Sequence, residues 1–115
     1  MALVEISQTQ GRVPVTVFQL QDCVNLGNFA ELEATAKQAY KNGTRDLVID
    51  LSRTEALTSI GVRALVVIHK MLLEDRGKHL KLAGPAPEIR DMLEISGVTQ
   101  YIQIYDTVGE AVEAF

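Results

Sequence analysis

The chain holds a single cysteine, Cys23, among 115 residues. One thiol excludes an internal disulfide, and Cys23 has no partner at metal-ligand spacing, which fits a reducing compartment. Blocks of lysine and arginine are missing too. The formal net charge is -4 and the isoelectric point is near 5.1, so a nucleic-acid backbone would be repelled and is not expected as a direct partner. Long apolar runs are absent: the longest uninterrupted one, Ala64 to Ile68, falls far short of the roughly 20 residues that cross a bilayer. The opening MALVEISQTQGR lacks a basic start, an apolar stretch and a small-residue cleavage site, so no export is expected and a cytoplasmic location is. The glycines are scattered and form neither a dinucleotide nor a P-loop fingerprint. His69 and His79 have no metal-ligand spacing, and Asp50 and Glu55 have no histidine near them in sequence. No catalytic residue, metal or cofactor is expected, and nothing in the chain reads as an enzyme.

What is present is an ordinary globular composition, 47% hydrophobic and 23% charged, at a length that suits one domain over residues 1–115. The first 20 residues alternate in polarity on either side of Gly11, which predicts two short strands joined by a turn. Asn28 is placed to cap a helix through Tyr40 that carries Leu32, Ala36 and Ala39 or Tyr40 on one face and stops at Gly43. DLVIDL, Asp46 to Leu51, has the apolar, branched middle of a strand covered on both faces. From Thr58 to about Arg76 the positions Ile60, Ala64, Val67, Ile68, Met71 and Leu72 recur at helical steps, with Gly77 as the stop. HLKLA, His79 to Ala83, predicts a strand. A helix follows from about Pro87 to Ile95, ended by Gly97, then a strand at YIQIY, Tyr101 to Tyr105. A last short helix begins at Asp106, a plausible N-cap. Alternation of helix and strand after an opening hairpin calls for right-handed crossovers and an α/β fold: a mixed, mostly parallel sheet of four to five strands with about four helices.

The segment ALTSIGVRAL, Ala56 to Leu65, sets two adjacent hydroxyls and a glycine at the mouth of the longest helix. Thr58 and Ser59 are favoured capping residues, and a helix N-terminus also tolerates a phosphate, so capping and modification are both open readings. Gly61 removes a side chain and lets a second backbone approach. The same helix carries a further apolar stripe, Val62, Val66, His69 and Leu73, which either packs within the chain or forms an interface. Arg63 is either solvated or a partner contact.

DLVIDLS followed by SIGVRAL resembles the centre of the STAS domain, the fold of the bacterial anti-sigma-factor antagonists. NFAELEATAKQAYKNG is similar to that family's first helix, and APEIRDMLEISGVTQYIQIYDTVGEAVEAF to its closing helix, last strand and terminal helix. The resemblance covers nearly the whole chain and implies a regulatory binding protein that docks an anti-sigma factor with serine-kinase activity and is switched off by serine phosphorylation. The family's phosphate falls on the hydroxyl just before the glycine, where this chain has Ile60. Where that residue is alanine the preceding serine accepts it, which maps to Ser59, with Thr58 second. Near the first loop the family often shows a glycine and, three residues on, an aspartate; here they are Asp22 and Asn25. The implied partner surface comprises Asp22, Asn25, Thr58, Ser59, Ile60, Gly61, Val62, Arg63 and Val66. Ile60 also admits a second role, a constitutive scaffold or accessory subunit of a transporter or signalling complex that is never phosphorylated.

Overall fold

The computed structural model describes residues 3–74 and 80–115. His79 and the predicted helix end at Arg76 and Gly77 lie outside the described residues. Strands β1 (Val4–Gln10) and β2 (Pro14–Leu20) form the expected antiparallel hairpin, and Val112 packs over Gly11 in its turn. A three-residue strand, β3 (Asp22–Val24), precedes α1 (Phe29–Lys41), β4 (Leu47–Asp50) and β5 (Thr54–Leu57). Helix α2 (Ser59–Leu73), β6 (Leu80–Ala83) and α3 (Pro87–Ser96) follow, and a 3-10 turn at Val98–Gln100 leads into β7 (Gln103–Tyr105) and α4 (Val108–Glu113).

The main sheet runs β1-β2-β4-β6-β7, with β2, β4, β6 and β7 mutually parallel. Because the chain steps across this sheet in one direction through right-handed crossovers, α1, α2 and α3 fall on the same face. Phe18, Leu47, Ile49, Leu80 and Leu82 from the sheet and Leu32, Leu65, Ile68, Leu72 and Leu93 from those helices make the main core. Among the described residues the other face carries only α4, whose Ala111 and Val112 cover Val15, Val17, Val48 and Ala83. Gly97 ends α3 at φ 86°, and Gly43 follows α1 at φ 107°, both left-handed conformations that glycine adopts without a Cβ penalty.

Three expectations are corrected here. The last strand is shorter than YIQIY, because Tyr101 and Ile102 belong to the turn that precedes β7. The last helix is capped by Thr107, whose Oγ1 accepts from the Glu110 amide, while Asp106 pairs with Arg90 at 2.9 Å. The deepest arc of α2 is rotated from the one the period suggested, sharing Ala64, Ile68 and Leu72 with it. Gly61, Val62, Ala64, Leu65, Ile68, His69 and Leu72 are buried, whereas Ile60, Val67 and Met71 lie at its margin. The helix is apolar around most of its circumference, so spacing alone could not select the arc.

Candidate functional site

Strands β3 and β5 form a separate two-stranded parallel ribbon that feeds directly into α2. The ribbon sets where α2 begins. Thr58, the N-cap, donates its Oγ1 hydrogen to the Val24 carbonyl at 2.9 Å and accepts from the Gly61 amide at 3.3 Å. Its own amide also bonds to the Val24 carbonyl, at 3.2 Å. The hydroxyl of Thr58 is therefore committed as both donor and acceptor within the fold, which is the capping role.

Gly61 sits one turn further, where a Cβ would lie 2.6 Å from Leu57 Cδ1 and 3.1 Å from both the Cβ and the carbonyl oxygen of Val24. The backbone that approaches Gly61 is thus the chain's own β3, not a partner's. Val62 is buried in the main core beside it. These two members of the implied partner surface face inward because the ribbon and the sheet occupy their side of α2.

Ser59 is the first residue of α2 and is exposed, and its hydroxyl makes no hydrogen bond among the described residues. It stands at the positive end of the helix dipole, with first-turn amides that have no intrahelical acceptor and no acidic residue in that turn. Arg63, also exposed, lies one turn along the same face. Beside them an open groove of about 310 Å³ runs between α1 and α2, lined by Phe29, Glu33, Ile60, Arg63 and Val67. Ile60 thus presents its branched side chain to the groove, and the walls carry one charge of each sign. Val66 is half-buried against the core. Phe29, Glu33 and Val67 were not singled out in the sequence as surface residues, since their meeting depends on how α1 packs on α2.

The loop before α1 is built on asparagine. Asn25 Oδ1 accepts from the Gly27 amide at 2.8 Å, closing a local turn, and its Nδ2 donates to Cys23 Sγ at 3.2 Å. Asn28 holds the N-cap position, but its side chain points back, accepting from the Asn25 amide and donating to the Cys23 carbonyl, each at 2.8 Å. Asp22 opens the ribbon at φ 56°, a conformation in which glycine is at ease and aspartate is tolerated at a cost of about 1–2 kcal/mol. That strain marks the place where the family resemblance calls for glycine. The loop also leaves Leu26, two residues past Val24, 73% exposed.

The remaining polar candidates have ordinary structural surroundings. Asp50 is buried, accepting from Gln19 Nε2 at 3.1 Å and from the Ser52 amide at 2.9 Å, while Glu55 is exposed on β5. The buried ring of His69 lies against Tyr101, centroids 5.4 Å apart. Among the described residues no group of three or more His, Cys, Asp or Glu is placed to hold a metal ion, and no helix is long and apolar enough to cross a membrane.

Residues 6–111 match the family model of the STAS domain. The chain belongs to the STAS domain family. In sequence it is 32% identical over 96 residues, 84% of this chain and 82% of the other, to BtrV of Bordetella bronchiseptica, provisionally an anti-sigma factor antagonist. In structure it is similar to a second provisional anti-sigma factor antagonist, from Thermotoga maritima, with a TM-score of 0.87 at 20% identity, over 96% of this chain and 92% of that one. It is also similar to the Bacillus anti-sigma factor antagonist SpoIIAA. The TM-score is 0.80 at 18% identity for the unphosphorylated form (96% and 94% covered) and 0.73 at 17% for the phosphorylated form (96% and 97%). These structures share the α/β STAS architecture expected from the order of elements.

Proposed function

We propose that this protein is a non-catalytic regulatory switch of the anti-sigma-factor antagonist kind, acting in the cytoplasm. It docks an anti-sigma factor with serine-kinase activity through Ser59, Ile60 and Arg63 and the groove between α1 and α2, together with Asn25 and Leu26 of the loop that leads into α1. The observation that carries this reading is the exposed, uncommitted hydroxyl of Ser59 beside a groove whose apolar Phe29, Ile60 and Val67 are flanked by Glu33 and Arg63. Phosphorylation of Ser59 ends the complex. A phosphoserine adds about -1.5 to -2 charges and three acceptor oxygens at neutral pH, and a partner that had covered a neutral hydroxyl must then desolvate that charge. The fold itself tolerates the modification, since the helix N-terminus and Arg63 offset it. That SpoIIAA has a structure in each phosphorylation state supports the idea that this architecture survives such a change. Gly61 and Val62 are left out of the proposed surface because the chain itself covers them.

The experiment is incubation with anti-sigma-factor kinases of the same organism and ATP, mapping phosphate by mass spectrometry and measuring binding of Ser59→Asp. The expected result is modification at Ser59 and at least tenfold weaker binding of Ser59→Asp. No modification at Ser59, together with unchanged binding, would overturn the switch. One observation favours a second reading: Ile60 occupies the position before the glycine and lines the groove with a side chain that takes no phosphate. Permanent docking as a scaffold or transporter accessory subunit would follow, and that reading predicts loss of binding in Ile60→Asp with no effect of kinase and ATP.

A further inference from the structure

Strand β1 is an edge strand, and the groups it turns outward can be read from its pairing with β2. The Gln21 amide donates to the Leu3 carbonyl at 2.8 Å, one of the two bonds of a hydrogen-bonded pair and enough to set the phase of the ladder, while the Leu3 amide turns to Glu31 Oε2 at 3.2 Å. Antiparallel pairs alternate between bonded and non-bonded. In the observed register Glu5, Ser7 and Thr9 therefore bond to β2, while Val4, Ile6, Gln8 and Gln10 aim N–H and C=O at the free edge. Two details agree. Gln10 stands opposite Pro14, which has no N–H to give, and the amide of Thr16, opposite Gln8, turns away to the Asp46 carbonyl.

This edge carries none of the usual guards. It is seven residues long, without lysine, arginine, proline or bulge, and Glu5 is its single charge. The opposite edge, β7, has only three residues. Among the described residues α1 reaches only the start of β1, where Glu31 accepts from the Leu3 amide and Val4 packs on the main core. Open grooves of about 440 Å³ on the α1 side and about 400 Å³ on the α4 side both have β1 as a wall, and Ile6 is 53% exposed.

We propose that the edge pairs with β1 of a second copy, antiparallel about a two-fold axis at Ser7, to make a continuous sheet across the dimer. The strand is self-complementary in that register: Ile6 falls opposite the second Gln8, Val4 opposite the second Gln10, and Glu5 opposite the second Thr9. The carboxylates are kept apart, and every outward backbone group finds a partner. A copy of the same chain fits better than a foreign peptide because one register satisfies both edges, and the groove on the α1 side has no charged side chain to anchor one. One strand pair is smaller than a standard interface, so association is weak, with a dissociation constant on the order of 10 µM to 1 mM. Both Ser59 surfaces stay outside the contact, so on the reading proposed above the dimer presents two docking sites.

The test needs no partner and no phosphate, so its outcome is independent of the kinase experiment. Sedimentation of the intact protein from about 10 µM to 1 mM is expected to show a shift from one chain toward two. Ser7→Cys, an exposed position with no role in the core, is expected to form an inter-chain disulfide on mild oxidation. Thr9→Cys, and the wild type with its lone Cys23, are expected not to. Ser7→Glu sets two carboxylates face to face only in the dimer, and is expected to weaken association at least tenfold with unchanged circular dichroism. A single-chain mass throughout would overturn the proposal, as would a dimer indifferent to Ser7→Glu and lacking the Ser7→Cys cross-link.

Discussion

Replacing Gly61 with alanine sets two physical effects against each other at the base of the site. Alanine is the better helix former by about 0.8–1.0 kcal/mol. Gly61 has ordinary helical geometry with no positive φ, so backbone strain does not enter and space alone decides the sign. The added methyl would meet Leu57 Cδ1 at 2.6 Å and the Cβ and carbonyl oxygen of Val24 at 3.1 Å. The Leu57 methyl ends a flexible side chain, but Leu57 and Val24 are both buried, and the Val24 carbonyl is the acceptor that holds Thr58. Overpacking of this kind costs about 1–3 kcal/mol. The net expectation is a loss of about 0–2 kcal/mol, read by urea denaturation as a lower midpoint with unchanged slope. In Gly61→Ala/Leu57→Ala the sum of the single losses should exceed the double-variant loss, since the two side chains compete for one space. A Gly61→Ala protein more stable than wild type by about 1 kcal/mol would refute the argument, showing that α2 does not press on the ribbon.

The two adjacent hydroxyls should separate cleanly. Thr58→Ala loses the cap and the bond to the Val24 carbonyl and is expected to cost about 1–2 kcal/mol, whereas Ser59→Ala should stay within about 0.5 kcal/mol, both by the same titration. Equal losses would contradict the division of labour between them. Phe18→Ala removes a ring with no exposed surface from the middle of the main core and should cost about 3–5 kcal/mol; a loss below about 1 kcal/mol would mean that the ring is not buried.

Much of the framework was legible because local chemistry and tertiary structure agree. Branched apolar runs became β2 and β4, Pro87 opens α3, Gly97 closes it, and Thr58 caps α2. The order of those elements implied the parallel sheet, and phrases such as DLVIDLS and SIGVRAL carried the resemblance to the family. The β3-β5 ribbon was not foreseen, since three- and four-residue strands carry too little alternation to register and exist only by pairing with each other. Asp106 looked like a cap and instead pairs with Arg90 across from α3, while Thr107 does the capping.

The sequence by itself determined the elements, their order and the position of Ser59 at a helix start, because propensity, capping and periodicity act over a few residues. Only the tertiary structure decided which arc of α2 is buried and that Gly61 meets the chain's own β3. It also decided that Phe29 and Glu33 join Ile60 and Arg63 in one groove, and that Lys81, midway along β6, is buried on the α4 face beside the rings of Tyr105 and Phe115. Those outcomes depend on which elements lie against one another, and a helix apolar on most sides can satisfy its periodicity in more than one rotation.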